Sequence, residues 1–247
     1  MKTTANTILI TGGSAGIGFA LAQRFITEGN NVIITGRNEA RLKAAAEKLG
    51  GSVTAIAADV SKPEEVEALV QKIKTDFPNL NILINNAGAA SYYMLGSQAD
   101  AFANAQEEIV TNYLSVIRLT EKLLPVLKQQ DESAVVNVSS ITAFVPTTFL
   151  PTYSASKAAL HSYTQSLRFT LADTSVKIFE LMPPLVNTEF SKEIGGENGI
   201  APSVLADDLL EAFANNTFEI HTGATADIYK LNQTDPVAAL LAMNSRG

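Results

Sequence analysis

The chain has 247 residues, 46% hydrophobic and 17% charged, which is enough apolar material for a sizeable core and too much for a disordered chain. Its 18 basic and 25 acidic residues leave a net charge of −7 with no Lys/Arg run, which excludes a general attraction to nucleic acid or anionic lipid. It has no cysteine, which excludes disulfides and thiolate chemistry, and it has no apolar run of ~20 residues and no leader pattern at residues 1–6, so the cytoplasm is the expected compartment.

Short aliphatic or β-branched runs at Thr7–Ile10, Val32–Ile34, Val53–Ile56, Ile82–Ile84, Val135–Val138 and Val176–Phe179 lack polar alternation and read as buried strands. Between them, apolar residues recur at helical spacing from Gly18 to Glu28, and Pro63 with Glu64-Glu65 opens a helix to Phe77. Longer helical stretches span Ala99–Lys128, which Pro125 is expected to end or kink, and Thr152–Ala172. This alternation predicts an α/β fold: one doubly wound parallel sheet of Rossmann type over residues 1–247, with helices on both faces. Ligands of such sheets bind at the carboxyl ends of strands, near the point where strand order reverses.

After the first strand comes Thr11-Gly12-Gly13-Ser14-Ala15-Gly16-Ile17-Gly18. Glycines there permit a tight turn and close approach to a pyrophosphate, and the following helix offers unpaired N–H groups; an ordinary strand–helix loop is the alternative. The glycines at 12, 16 and 18 depart from G-x-G-x-x-G and match T-G-x-x-x-G-x-G. In that pattern the chain resembles the short-chain dehydrogenase/reductases. Asn85-Asn86-Ala87-Gly88 after the fourth strand, Ser139-Ser140 after the fifth, and Tyr153 with Lys157 in Y-x-x-x-K extend the resemblance to about residues 5–190.

The resemblance implies a nicotinamide dinucleotide held by Gly12, Ser14, Gly16, Ile17 and Gly18, with Asp59 and Val60 at the adenine and Asn86, Ala87 and Gly88 along the cofactor. The second strand ends Gly36-Arg37 without the acid that favours NAD, so Arg37 points to NADP(H), with NAD(H) as the alternative. A solvated Arg37 and an Asp59 that merely caps its loop are the competing readings. Tyr and Lys four apart share a helix face, and an ammonium lowers a phenol's pKa from about 10. By resemblance, Tyr153 exchanges a proton with a carbonyl or alcohol oxygen, Lys157 holds the nicotinamide ribose and lowers the Tyr153 pKa, Ser140 orients the substrate oxygen, and Asn112 shapes a helix irregularity and a water path.

After the sixth strand, Pro183, Val186 and Thr188 are expected at the carboxamide. Pro183-Pro184, where the family usually has Pro-Gly, with Val186-Asn187-Thr188, resembles a subgroup of bacterial oxidoreductases named after DltE. The family's substrate-covering loop falls at about residues 189–205. Phe144, Phe149, Tyr92, Tyr93 and Met182 are candidates for an apolar mouth, though each suits the core equally. The two histidines, His161 and His221, form no ligand cluster, so no catalytic metal is expected. Phe218–Ile220 is a candidate last strand and Ala226–Asn244 reads as helix. The two long helices are the family's two-fold interface, so a homodimer is expected ahead of a tetramer. The reading is an NADP(H)-dependent oxidoreductase of small carbonyls or alcohols; an NAD(H) alcohol dehydrogenase and a catalytically idle dinucleotide sensor are the alternatives.

Overall fold

Seven parallel strands form one sheet in the order β3-β2-β1-β4-β5-β6-β7 in the computed structural model, which describes residues 1–51 and 53–245. Residues 52, 246 and 247, which the single-domain expectation also spans, lie outside the described residues. The strands are β1 Thr7–Thr11, β2 Asn31–Gly36, β3 Val53–Ala57, β4 Ile82–Asn85, β5 Ser133–Val138, β6 Val176–Met182 and β7 Glu219–His221. All five residues of β1 are buried, as are all six of β5, because helices cover both faces. The two-residue side-chain period sorts β1 between two apolar layers. Ile8 and Ile10 pack with Leu21, Phe25 and Phe213 on one face, and Leu9 packs with Val66, Val70, Leu119 and Leu123 on the other.

The helices are α1 Gly16–Thr27, α2 Glu39–Leu49, α3 Pro63–Asp76, α4 Ala101–Ile109, α5 Ser115–Leu127, α6 Pro151–Thr170, α7 Pro202–Asn215, α8 Ala224–Thr234 and α9 Pro236–Asn244. The stretch expected as one helix over Ala99–Lys128 is α4 and α5 joined by a π-helical turn, Val110–Leu114. Pro125 does not end α5. It lies in the last turn, the helix runs on to Leu127, and the Lys128 N–H closes on the Leu124 carbonyl, so the proline forfeits a bond only where the ladder is finishing. The Ala226–Asn244 stretch is two helices, broken where Asp235 caps α9 by accepting from the Ala238 N–H. α7 begins at Pro202, inside the expected 189–205 loop.

Sheet order reverses between β1 and β4: β1 pairs with β2 on one side and β4 on the other. The turns after β1, β4, β5 and β6 therefore meet at one edge. A buried polar chain locks that edge. The Asn85 side chain on β4 donates to Asn137 on β5 at 2.9 Å and to Thr120 on α5 at 3.2 Å, and Asn137 donates to Thr164 on α6 at 2.9 Å. No described helix is long and apolar enough to cross a membrane.

Candidate active site

A cavity of about 560 Å³ opens at the switch point, within the range of small-molecule sites. Its floor is the glycine turn. Gly12 sits at φ +68, a conformation that suits glycine, and a Cβ there would meet Ala87 Cα at 3.0 Å. The Asn86 amide donates to the Thr11 carbonyl at 2.9 Å, and the Asn86 and Ala87 N–H groups both donate to the Thr11 hydroxyl at 3.0 Å. The turns after β1 and β4 are thus stitched together. Gly12, Ser14, Gly16, Ile17, Asn86, Ala87 and Gly88 all line the cavity. Gly18 does not. A Cβ on it would lie 2.4 Å from the Gly12 carbonyl, so this glycine is required by helix–turn packing. The first turn of α1 carries no acid and no side-chain cap, leaving its N–H groups and partial positive charge for an anion. Floor and helix end together fit a dinucleotide pyrophosphate.

Arg37, Asp59 and Val60, after β2 and β3, line the far end of the cavity. Arg37 is exposed, and Arg41 on α2, which the motif reading did not single out, lines the cavity beside it. No salt bridge occupies either guanidinium among the described residues. Asp59 is committed to its own turn: one carboxylate oxygen accepts from the Ser61 N–H at 3.0 Å and from the Ser61 hydroxyl at 2.7 Å. Partial burial works against the anion, but those bonds hold Asp59 below the ordinary carboxylate value.

The other end gathers Ser140, Tyr153 and Lys157. Ser140 caps a 3-10 turn, Ile141–Ala143, and its hydroxyl accepts from both the N–H and the hydroxyl of Thr142 at 3.1 Å. Two accepted bonds leave the Ser140 proton to donate, and it is turned toward the Tyr153 phenol. On α6, Lys157 Nζ lies 5.5 Å from the Tyr153 ring centroid and donates to the Val138 carbonyl at 2.8 Å. Burial pushes Tyr153 up to about 12, opposed by the Ser140 hydroxyl and reinforced by the Glu108 carboxylate. Burial likewise pushes Lys157 down to about 8, against the Glu180 carboxylate. The expected lowering of the Tyr153 pKa is therefore corrected: desolvation of the phenolate is the largest influence, ahead of the Ser140 bond that opposes it.

Asn112 does not line the cavity. It is buried in the π-helical turn, where its carbonyl accepts from the Ala89 N–H at 2.8 Å and its amide donates to the Ala89 carbonyl at 2.8 Å and to Ser156 at 2.9 Å. It ties the turn after β4 to α6. Pro183, Val186 and Thr188 line the cavity, but the Thr188 hydroxyl is already 3.1 Å from that of Ser191. The segment after Thr188 is built of two 3-10 turns, Glu189–Ile194 and Gly196–Asn198. Its base is closed by Asn187 N–H to the Ile200 carbonyl at 2.8 Å and Ile200 N–H to the Leu185 carbonyl at 3.0 Å.

Of the five aromatic and sulfur-bearing candidates for the mouth, only Phe149 lines the cavity. Tyr92 packs on Phe149, Tyr93 and Met182 are buried, and Phe144 lies against His161, His221 and Tyr229. Thr147, Phe190, Ile194 and Met243 complete the wall. Met243 arrives from α9, held by Asn244, whose carbonyl accepts from the Thr148 N–H at 2.7 Å and whose amide donates to the Pro146 carbonyl at 3.0 Å. Nothing local in the sequence marks that contact, which joins residues almost a hundred positions apart. Glu108 was also unmarked. It is buried on α4, accepts from the Ser91 N–H at 2.7 Å, and is raised above the ordinary carboxyl value by burial.

The short chain dehydrogenase family model matches residues 6–199. The chain is 42% identical to an uncharacterized oxidoreductase, DltE, of Bacillus subtilis (strain 168) over 81% of this chain and 79% of that one. A crystal structure of a short chain dehydrogenase from Burkholderia cenocepacia J2315 in complex with NADP is 25% identical, covers 100% of both chains and superimposes with a TM-score of 0.88. The 3-ketoacyl-(acyl-carrier-protein) reductase of Brucella melitensis complexed with NADH is 29% identical over 86% of this chain and 90% of that one, with a TM-score of 0.76.

Proposed function

This chain belongs to the short-chain dehydrogenase family, and from that premise we propose that it is an NADP(H)-dependent reductase of a small carbonyl compound, able to run in reverse as an alcohol dehydrogenase. The observation that carries the reading is that Ser140, Tyr153 and Lys157 share one cavity with the glycine turn and the N-terminus of α1. The cofactor, when bound, supplies or receives the hydride. Gly12, Gly16 and Ile17 would hold the pyrophosphate, Asp59 and Val60 the adenine, and Arg37 with Arg41 the 2′-phosphate. Gly88, Pro183 and Val186 flank the nicotinamide, and Lys157 holds its ribose hydroxyls.

Ser140 turns its hydroxyl proton from Tyr153 to the carbonyl oxygen and orients it. Tyr153, protonated at neutral pH, then delivers the phenolic proton to the same oxygen. A phenol kept protonated suits reduction better than oxidation. The Asn112 bonds to Ala89 and Ser156 hold both walls in place as a positioning contribution. The protein works as a homodimer through α4–α5 and α6, whose Phe102 and Phe169 are 73% and 88% exposed.

Two outcomes separate this from its rivals. NADPH binding tighter than NADH in side-by-side fluorescence titration supports the two arginines as a phosphate site; equal or tighter NADH binding returns the NAD(H) alcohol dehydrogenase. Tyr153→Phe is expected to lower kcat by about 100-fold or more with cofactor affinity unchanged; an unchanged kcat would remove Tyr153 as the proton donor, and cofactor binding by the parent chain with no turnover of any carbonyl or alcohol would leave the sensor reading.

A further inference from the structure

The cavity has two chemically distinct ends. Arg37, Arg41 and Asp59 stand at the end that follows β2 and β3. Around Ser140 and Tyr153 the wall carries Phe149, Leu150, Phe190, Ile194 and Met243 with Thr147, and the hydroxyls of Thr142, Thr188 and Ser191 beside it are already bonded within the protein. Among the described residues, Lys157 and Glu189 are the only charged side chains lining that end. Lys157 is already bonded to the Val138 carbonyl. Glu189 is exposed, lies 3.9 Å from Lys192 and carries the same sign as a carboxylate ligand.

A substrate carboxylate brought here gives up its hydration and meets no free cation, which is the costly way to bury a charge. An apolar group meets the opposite conditions. Phe190 is 57% exposed, yet its ring centroid stands 6.3 Å from that of Tyr153, at the mouth of the site. A large side chain left in water beside the reacting group is surface that a bound apolar group would cover.

We infer, resting on the reductase reading above, that the substrate is an uncharged aldehyde or ketone with an apolar flank, and that keto acids and amino acids are excluded by the wall around Ser140 and Tyr153. The flank lies between Phe149, Phe190 and Met243, and the carbonyl oxygen lies at Ser140 and Tyr153.

The test is a matched pair, acetophenone and benzoylformate, which differ by a methyl group in place of a carboxylate. Each is offered to the purified protein with excess NADPH and, separately, NADH, and turnover is read from the loss of reduced-cofactor absorbance. In parallel, saturation-transfer NMR reads binding of both compounds to the protein loaded with oxidised cofactor. The expected result is a kcat/KM for acetophenone at least about 100-fold above that for benzoylformate. Benzoylformate turned over as well or better overturns the inference. If neither is reduced, NMR decides: acetophenone alone bound upholds the substrate class and overturns the reductase reading, whereas benzoylformate bound equally, or neither bound, overturns the substrate class.

Discussion

Tyr153 and Lys157 lie on one face of α6, yet burial moves their proton affinities in opposite directions, to about 12 and about 8. The phenol therefore stays protonated across the neutral range, and the ammonium is the group that titrates first as pH rises. If charged Lys157 is needed to hold the ribose, kcat/KM falls as pH rises through about 8. Glu180, buried on β6, raises the Lys157 value, so Glu180→Gln should bring that alkaline limb to lower pH; an unmoved limb in the pH profile would sever Lys157 from it. At the other end, Arg37→Ala is expected to weaken NADPH by about 10-fold and leave NADH nearly unchanged, since only the 2′-phosphate loses a charge-assisted bond. Residues of this kind were legible because each chemistry-bearing motif follows a strand, and a strand end fixes its neighbours locally. Arg41 and Met243 were not: Arg41 stands one helical turn beyond the strand-end motif, and Met243 enters the site through packing between distant segments. Gly18 was legible as a family glycine but not as a packing residue, because a spacing pattern does not tell ligand contact from helix–turn contact.

At the scale of elements, the strands declared themselves through unbroken aliphatic runs that only a doubly covered sheet uses. α2 was hidden: of its residues only Leu42 and Ala45 are buried, so its apolar stripe is too thin to stand out against a charged surface. The π-helical turn left no mark on the hydrophobic period and was expected only by resemblance, as a helix irregularity at Asn112. Its buried Asn112 bonds to Ala89 and Ser156 on two other segments, contacts that no hydrophobic period records. Asn112→Ala should leave those partners unsatisfied and lower stability by about 1–3 kcal/mol, read as a drop in Tm. A melt unchanged from the parent chain would show that the turn is held by backbone alone.

Across the whole molecule, the parallel sheet and the helices on both its faces followed from strand–helix alternation, the strand order came from the structure, and the surface that joins two copies rests on proposal. Exposed Phe102 and Phe169 give that surface a handle: replacing both with Glu should convert the dimer to a monomer in sedimentation analysis, with the circular dichroism of the fold retained. If the parent chain already sediments as a monomer, the two-fold reading falls.

The last helix carries a consequence of its own. α9 packs on α8, reaches the cavity wall through Met243 and is bonded to the loop before α6 by the side chain of Asn244. It contributes no strand to the sheet and no residue to the glycine turn. The segment beyond Asp235 is accordingly an exchangeable part: variation in that tail can recut the outline of the substrate chamber while the hydride-transfer apparatus stays as it is, giving new selectivities without a new enzyme.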